Sequence, residues 1–381
     1  MLPIYTKMEN DLKSEIMKKI KVLFIATEFA PGMIPFASSI INILSMDSLY
    51  EIHAIVVNSG KYTYKGKIII PNENINYIEY PTTKVTKLLY KLYPYKIIQY
   101  IHRINKKVNP DIIHLLTGDF SLAPYLFLKK SNSKLYYTVH DLHPHETEKK
   151  SLLASLFDKY TILGNKLNRN KISNLTTCSV SQYNELKELY PKKNIVLFNF
   201  PSLVTEQIAN GKEEVSELKG INDYILFFGS SDRYKGIDLL IDVYEKSSIQ
   251  KQHKLVIAGK GENYQSMMSS ANIIRINRFI KDEEIYNLFL KAAVIVYPYR
   301  SATMSGVLSI AYYFNKKVIL SDIPFFQQYA CENSFFFKNG DKSSLQESII
   351  TALATPINKE NNYNKFYNPE TIIQQLTKFY V

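Results

Sequence analysis

Short β-branched and aliphatic runs recur along this chain at helix-length intervals, and that alternation constrains its fold more than any other feature. The runs occupy Lys21–Thr27, Ile52–Val57, Asp111–Leu115, Leu135–His140, Thr176–Ser179 and Asn194–Phe198. After a polar, acidic stretch around Gly211–Gly220 they restart at Tyr224–Phe228, Lys254–Ala258, Ile273–Arg275, Val294–Tyr297 and Lys317–Leu320. Near-continuous apolar runs suit strands buried on both faces, as in parallel sheets covered by helices. The pattern therefore predicts an α/β protein with two doubly wound, Rossmann-like parallel sheets. The boundary should fall between Asn199 and Asn222, giving domains over 21–205 and 206–360 after an extension at 1–20. A segment rich in Asn, Lys and Tyr, Asn358–Asn368, then leads into an amphipathic helix, Glu370–Tyr380, within a closing part at 361–381.

Composition narrows the classes of function. With 381 residues, 46% of them hydrophobic and 22% charged, each domain can build its own core. The two cysteines, Cys178 and Cys331, sit in apolar contexts without metal-ligand spacing, so a reducing cytosol is the expected setting. Residues 1–20 carry Glu9, Asp11, Glu15 and several lysines and do not read as a secretory signal. The window Ala30–Met46 is broken by Pro31, Gly32 and Pro35 and falls short of the roughly 20 residues of a spanning helix. A net charge of +12 favours polyanionic partners. Between Lys84 and Val108, seven cations alternate with Leu, Ile and Tyr and no acid appears, as in amphipathic helices that lie on an anionic membrane surface or in a solvated helix face. No groove-reading or RNA-stacking motif is present, so no nucleic-acid partner is expected.

Three segments could carry chemistry. Tyr297–Leu320 joins two strand signals through a loop whose Ser301 to Ser305 hydroxyls are placed to cap an apolar helix over Val307–Phe314. Free N–H groups at such a helix start favour a phosphate or a polar ligand. Gly229–Gly236 follows a strand and precedes a helix, so Arg233 and Lys235 project near the strand's carboxyl end as exposed loop cations able to neutralise a leaving diphosphate without a metal. Gly229, Gly259 and Gly261 follow strands but complete no dinucleotide fingerprint, which weakens a nicotinamide reading. Val139–Glu146 holds three of the seven histidines, His140, His143 and His145. It reads either as part of a zinc or iron site of a hydrolase, or as His140 facing a cleft with the other two on a loop.

Five segments in order carry a family resemblance: Phe227-Phe228-Gly229, Tyr234-Lys235-Gly236-Ile237-Asp238, Ala258-Gly259-Lys260-Gly261, Arg278-Phe279-Ile280, and Tyr299-Arg300-Ser301-Ala302-Thr303-Met304-Ser305-Gly306-Val307. Together they resemble the retaining GT-B glycosyltransferases of family 4, also called group 1, most strongly over 222–350 and more weakly over 21–200. The resemblance implies two domains facing across a cleft, with the last helix packing back on the first domain. It implies a nucleotide-sugar donor held mainly by the second domain and a glycan or lipid-linked acceptor held mainly by the first, in surface polysaccharide synthesis. Transfer would retain anomeric configuration and need neither metal nor other cofactor. Lys235 and Arg233 would stabilise the diphosphate, and His140 would lie beside the transferred sugar. Donor contacts are implied at Gly32, Gly229, Ser230, Gly259, Gly261, at Arg278, Phe279 and Ile280 near the base, and at Arg300, Ser301, Thr303, Met304, Ser305, Gly306 and Val307.

The chain departs from the family pattern at three positions. Ser230 stands where an Arg usually follows the glycine, and Arg233 is offered as its substitute. Ala302 and Ile310 stand where the family's paired glutamates contact sugar and ribose, and neither side chain can accept a hydrogen bond. Ser301, Thr303 and Ser305 are the available replacements. A catalytically inactive donor-binding scaffold, a metal-dependent hydrolase using His140–Glu146 and a nucleotide-sugar epimerase are the alternative readings.

Overall fold

In the computed structural model, the alternation resolves into two all-parallel sheets of seven and six strands. The structure describes residues 18–28, 32–60, 63–81, 83, 86, 95–118, 132–143 and 152–381, the side chains of 152–158 excepted. The first sheet contains β1 (Ile20–Ala26), β2 (Tyr50–Asn58), β3 (Ile75–Glu79), β4 (Ile112–Leu115), β5 (Lys134–Thr138), β6 (Asn174–Thr177) and β7 (Asn194–Leu197), in the spatial order β3-β2-β1-β4-β5-β6-β7. Its described helices are α1 (Met33–Ser45), α2 (Tyr95–Val108), α3 (Leu152–Lys171) and α4 (Val180–Leu189). The second sheet contains β8 (Tyr224–Phe228), β9 (Leu255–Ala258), β10 (Ile273–Ile276), β11 (Ala292–Tyr297), β12 (Val318–Ser321) and β13 (Ser334–Phe337), in the order β10-β9-β8-β11-β12-β13. With it go α5 (Glu206–Asn210), α6 (Ile237–Lys246), α7 (Asp282–Leu290), α8 (Val307–Tyr313), α9 (Pro324–Gln328), α10 (Lys342–Ala354), α11 (Tyr363–Tyr367) and α12 (Pro369–Tyr380).

Central strands carry the core. Leu23, Phe24 and Ile25 of β1 and Ile225, Leu226 and Phe227 of β8 are fully enclosed. Register matches volume: Phe24 of β1 stands opposite Ala54 of β2, so a large ring meets a small neighbour. Two strands went unrecognised in the sequence, β3 and β13. Both lie at sheet edges: Asn76 and Glu79 interrupt Ile75, Tyr77 and Ile78 in one, and the Ser-Phe-Phe-Phe run of the other has no β-branched residue.

Helix α2 confirms amphipathicity but places it differently from the membrane expectation. Its Ile97, Ile98, Ile101, Ile104 and Val108 are buried against the first sheet, and Lys96, Arg103, Lys106 and Lys107 face outward. The apolar face is occupied by the core, so only charge remains for an anionic surface. Lys84, Lys87 and Lys91 lie outside the described residues. No described helix is long and apolar enough to cross a membrane.

The final helix, α12, lies on the first sheet although it follows the second. Tyr50 Oη donates to Thr377 Oγ1 at 2.9 Å, and Tyr136 Oη donates to the Tyr380 carbonyl at 3.2 Å. His114 on β4 shares hydrogen bonds with Tyr380 Oη at 2.5 Å and Thr138 Oγ1 at 2.8 Å. Complete burial pushes His114 down to about 3, so it stays neutral in this network. The linker also ties the domains together: Ser39 Oγ donates to the Ser202 carbonyl at 2.7 Å, and Leu203 N donates to Ser309 Oγ at 3.0 Å.

Candidate active site

Strand order reverses between β8 and β11, and open α/β sheets bind ligands at the carboxyl ends of strands beside such a reversal. Two loops meet there, Gly229–Gly236 after β8 and Pro298–Gly306 after β11. They are joined by Arg300 N donating to the Tyr234 carbonyl at 2.7 Å. Gly236 is confined to glycine on two counts: its φ is +67°, and a Cβ would sit 2.0 Å from the Pro298 carbonyl oxygen. Gly259 is equally constrained, since a Cβ would stand 1.8 Å from the Gly229 carbonyl oxygen. These glycines let three strand-end loops stack without side chains between them.

Lys235 lies at the centre of this stack. The sequence predicts an exposed loop cation; instead Lys235 is 8% exposed, enclosed by Tyr234 and Tyr299, whose ring centroids lie 5.7 and 5.6 Å from Nζ. Nζ donates to Ser230 Oγ at 2.5 Å, and Ser230 Oγ in turn donates to Asp232 Oδ2 at 2.6 Å. Asp232 itself is 3.9 Å from Nζ, too far for a close ion pair. Burial therefore pushes Lys235 down to about 8, with the Asp232 charge acting in opposition. A Cβ at Gly229 would lie 3.6 Å from this ammonium, so the missing side chain leaves the backbone open to a ligand there.

The other sequence candidates divide by what their side chains touch. Arg233 is exposed at the loop's outer side, and its carbonyl accepts from Arg300 Nη1 at 2.8 Å. The Arg300 guanidinium is committed to Asp238, with contacts of 2.9 and 2.6 Å, so it braces the two loops. Arg278 is likewise committed. It holds Glu284 through two bonds of 2.7 Å and Glu217 of the linker at 2.9 and 3.0 Å. Beside it Phe279 is exposed and Ile280 buried. Ser301 is exposed, while Ala302, Thr303, Met304, Ser305, Gly306 and Val307 are half-buried. The expectation that these hydroxyls cap the helix is corrected: Gly306 occupies the N-cap of α8 and no side chain caps it. The N-cap position itself has no room for a capping side chain, because a Cβ at 306 would meet Leu203 at 2.1 Å. Ile310 is buried, one face of α8 being given to the core.

Across the cleft, the β1 and β4 ends form the reversal point of the first sheet. His140 follows β5, and its Nε2 donates to the Leu116 carbonyl at 2.6 Å, which leaves Nδ1 unprotonated and without a partner. Burial holds the imidazole below its usual range. Phe36 of α1 packs edge-on against it at 4.6 Å, and Gly32 is the exposed residue that begins α1. Its neighbour Asp141 acts electrostatically on Tyr234, beside Lys235, so the His140 segment and the lysine loop face each other. His143 pairs instead with Glu185 at 2.7 Å, and His145 and Glu146 lie outside the described residues. Among the described residues no three His, Cys, Asp or Glu side chains gather to hold a metal ion.

Sequence reasoning missed Arg275. From the middle of β10 its guanidinium donates to the carbonyls of Ile257, Gly259, Ile276 and Glu262 and to Ser231 Oγ and Asn277 Oδ1, pinning the β8 and β9 loops together. The available signal was a charge inside an otherwise aliphatic strand, Ile273-Ile274-Arg275-Ile276, which requires partners.

Paired Rossmann-like domains with their strand ends across a cleft define the GT-B fold. Within it, residues 211–368 match the family model described as glycosyl transferases group 1. Sucrose-phosphate synthase from Thermosynechococcus elongatus is 15% identical with a TM-score of 0.68, covering 95% of this chain and 98% of that one. HepE from Anabaena, solved in complex with UDP and glucose, is 16% identical with a TM-score of 0.67, covering 94% and 98%. WaaG, a glycosyltransferase involved in lipopolysaccharide biosynthesis, is 13% identical with a TM-score of 0.63, covering 95% and 100%. At these identities the likeness is one of fold. No curated protein matches the chain in sequence.

Proposed function

We propose that the protein is a glycosyltransferase that moves a sugar from a nucleotide-sugar donor, bound on the second domain, to an acceptor bound on the first. The carrying observation is Lys235: a buried ammonium bonded to one serine hydroxyl, with Asp232 no nearer than 3.9 Å, at a glycine-bared strand end. A buried cation so thinly paired favours an anion, and a diphosphate leaving group develops charge where Nζ points. Ser230 and Lys235 stabilise the diphosphate, with exposed Arg233 adding charge from the rim. Gly229, Gly259, Gly261 and the 301–307 loop approach the donor mainly through backbone, and the 278–280 segment lines the base side. His140 offers its unprotonated Nδ1 to a sugar hydroxyl. The reaction needs no metal in this reading and proceeds with retention, leaving group and incoming hydroxyl sharing one face of the sugar. The acceptor is a glycan or lipid-linked glycan of a surface polysaccharide, met at the cytoplasmic face of a membrane to which the basic side of α2 is drawn by charge.

A second reading rests on Ala302 and Ile310, which supply no carboxylate to the donor: a scaffold that binds nucleotide-sugar without turnover. Thermal shift against UDP, GDP, ADP, CMP and their sugars, followed by product analysis with the stabilising donor, separates the two. Stabilisation with sugar release or transfer supports the transferase, stabilisation alone the scaffold, and indifference to every nucleotide overturns both.

A further inference from the structure

The first sheet's strand ends hold a group of polar side chains that the donor site does not use. Arg169, near the end of α3, is 8% exposed, its Nε has no hydrogen-bond partner, and none of the described carboxylates pairs with it. One turn earlier on the same helix, Asn165 Oδ1 is also enclosed and unpartnered. Tyr137, at the end of β5, lies within the electrostatic reach of Arg169. Tyr137 Oη and Asn165 Oδ1 converge on the backbone of Gly118, where a Cβ would stand 2.6 Å from each. Glu28, after β1, acts electrostatically on both Tyr137 and Tyr64, so these groups share one pocket of the fold.

Enclosed polar atoms are nearly always paired, and a buried guanidinium almost always finds a carboxylate. The Arg169 Nε and Asn165 Oδ1, one helical turn apart and unpartnered among the described residues, therefore mark a place where a ligand can supply the missing partners. Arg presents donors only, in a planar fork that fits a carboxylate or a phosphate through two parallel bonds. Asn165 Oδ1, by contrast, accepts, as a sugar hydroxyl requires. Asp141, next to His140, also acts electrostatically on Tyr137, which places this group near the proposed point of transfer. We infer that Arg169, with Tyr137 and Asn165, forms a subsite for an anionic group, carboxylate or phosphate, carried by the acceptor sugar; this rests on the transferase reading of the cleft.

Crystals of the full chain grown with UDP and soaked in selenate test the site directly. An anomalous peak within hydrogen-bond distance of the Arg169 guanidinium is expected, and its absence from crystals that hold UDP at Lys235 overturns the subsite. In solution, glucuronate and glucose 6-phosphate are titrated against plain glucose. Tighter binding of glucuronate names a carboxylate, tighter binding of glucose 6-phosphate a phosphate, and equal binding of all three overturns the inference. R169Q should weaken the preferred anion about 10- to 100-fold, the span of a charged hydrogen bond, with R169K recovering part of it. Because a buried arginine can be needed for folding, N165D is the second variant: it sets an internal carboxylate beside Arg169 and should displace the anion from an intact protein. Retained anion binding in N165D counts against the subsite. UDP affinity is read in parallel; selenate at Arg169 without any UDP binding sustains the subsite and overturns the transferase reading instead.

Discussion

The two sheets share one topology at their cleft-facing ends, yet they prepare for ligands in opposite ways. On the second sheet the work is done by backbone: glycines remove side chains from three stacked loops, Arg275 and Arg300 lock those loops, and a single buried ammonium remains to be satisfied. On the first sheet, among the described residues, Asn165 and Arg169 of α3 and His140 after β5 each leave an enclosed polar atom unpaired. A rigid backbone cradle suits a ligand part that never varies, the diphosphate of a donor. A set of side-chain groups suits the anionic acceptor inferred above.

Removal of the lysine should have the largest effect. K235A should lower turnover at saturating donor by about 100- to 1,000-fold, the usual result of removing one preorganised charge-stabilising donor. Its melting temperature should hold, because burial disfavours the ammonium it removes; unchanged turnover would dissolve the contrast between the two sites. Next comes the cradle itself. G236A should destabilise the protein by about 3 kcal/mol in urea titration and abolish nucleotide binding, since the Pro298 carbonyl occupies the place of the new Cβ.

R278A should cost about 2 kcal/mol in the same titration. It strands the buried Glu284, discounted because the guanidinium itself is one-third exposed. The same pairing holds Glu217 down to about 2, so this contribution is present above the ordinary carboxylate range and fades as pH falls toward 2. The smallest effect concerns pH. Lys235 near 8 in the free protein is protonated at pH 7 and largely neutral at pH 9, so UDP affinity by calorimetry should fall about tenfold across that interval. The unfolded chain binds the extra proton between about 8 and 10.4, so stability should rise over those same values rather than fall. A flat affinity profile would show that the diphosphate is held by backbone alone.

Eleven strands were legible because a strand buried on both faces must be apolar throughout, and β1, β8 and β11 announce themselves in that way. The edge strands β3 and β13 were not legible, because Asn76 and Glu79 break one and three phenylalanines without a β-branched residue make the other, whereas the edge strands β7 and β10 keep aliphatic runs. Lys235, Gly229 and the loop after β11 were legible as strand-end motifs. Burial of Lys235 was not: it comes from Tyr299, sixty-four positions away, folding over the ammonium. Arg278 and Arg300 illustrate the reverse, because a cation in a motif says nothing of the carboxylates, Glu217, Glu284 and Asp238, that claim it first.

Local composition thus marked eleven of the strands and the alternation of strand with helix, because periodicity and propensity act between near neighbours. Tertiary structure alone decided which polar groups are satisfied and which are left waiting. Pairing of a buried charge depends on what the fold brings within hydrogen-bond reach: for Lys235 that is Ser230 Oγ at 2.5 Å with Asp232 farther off at 3.9 Å, and for Arg169, among the described residues, no carboxylate.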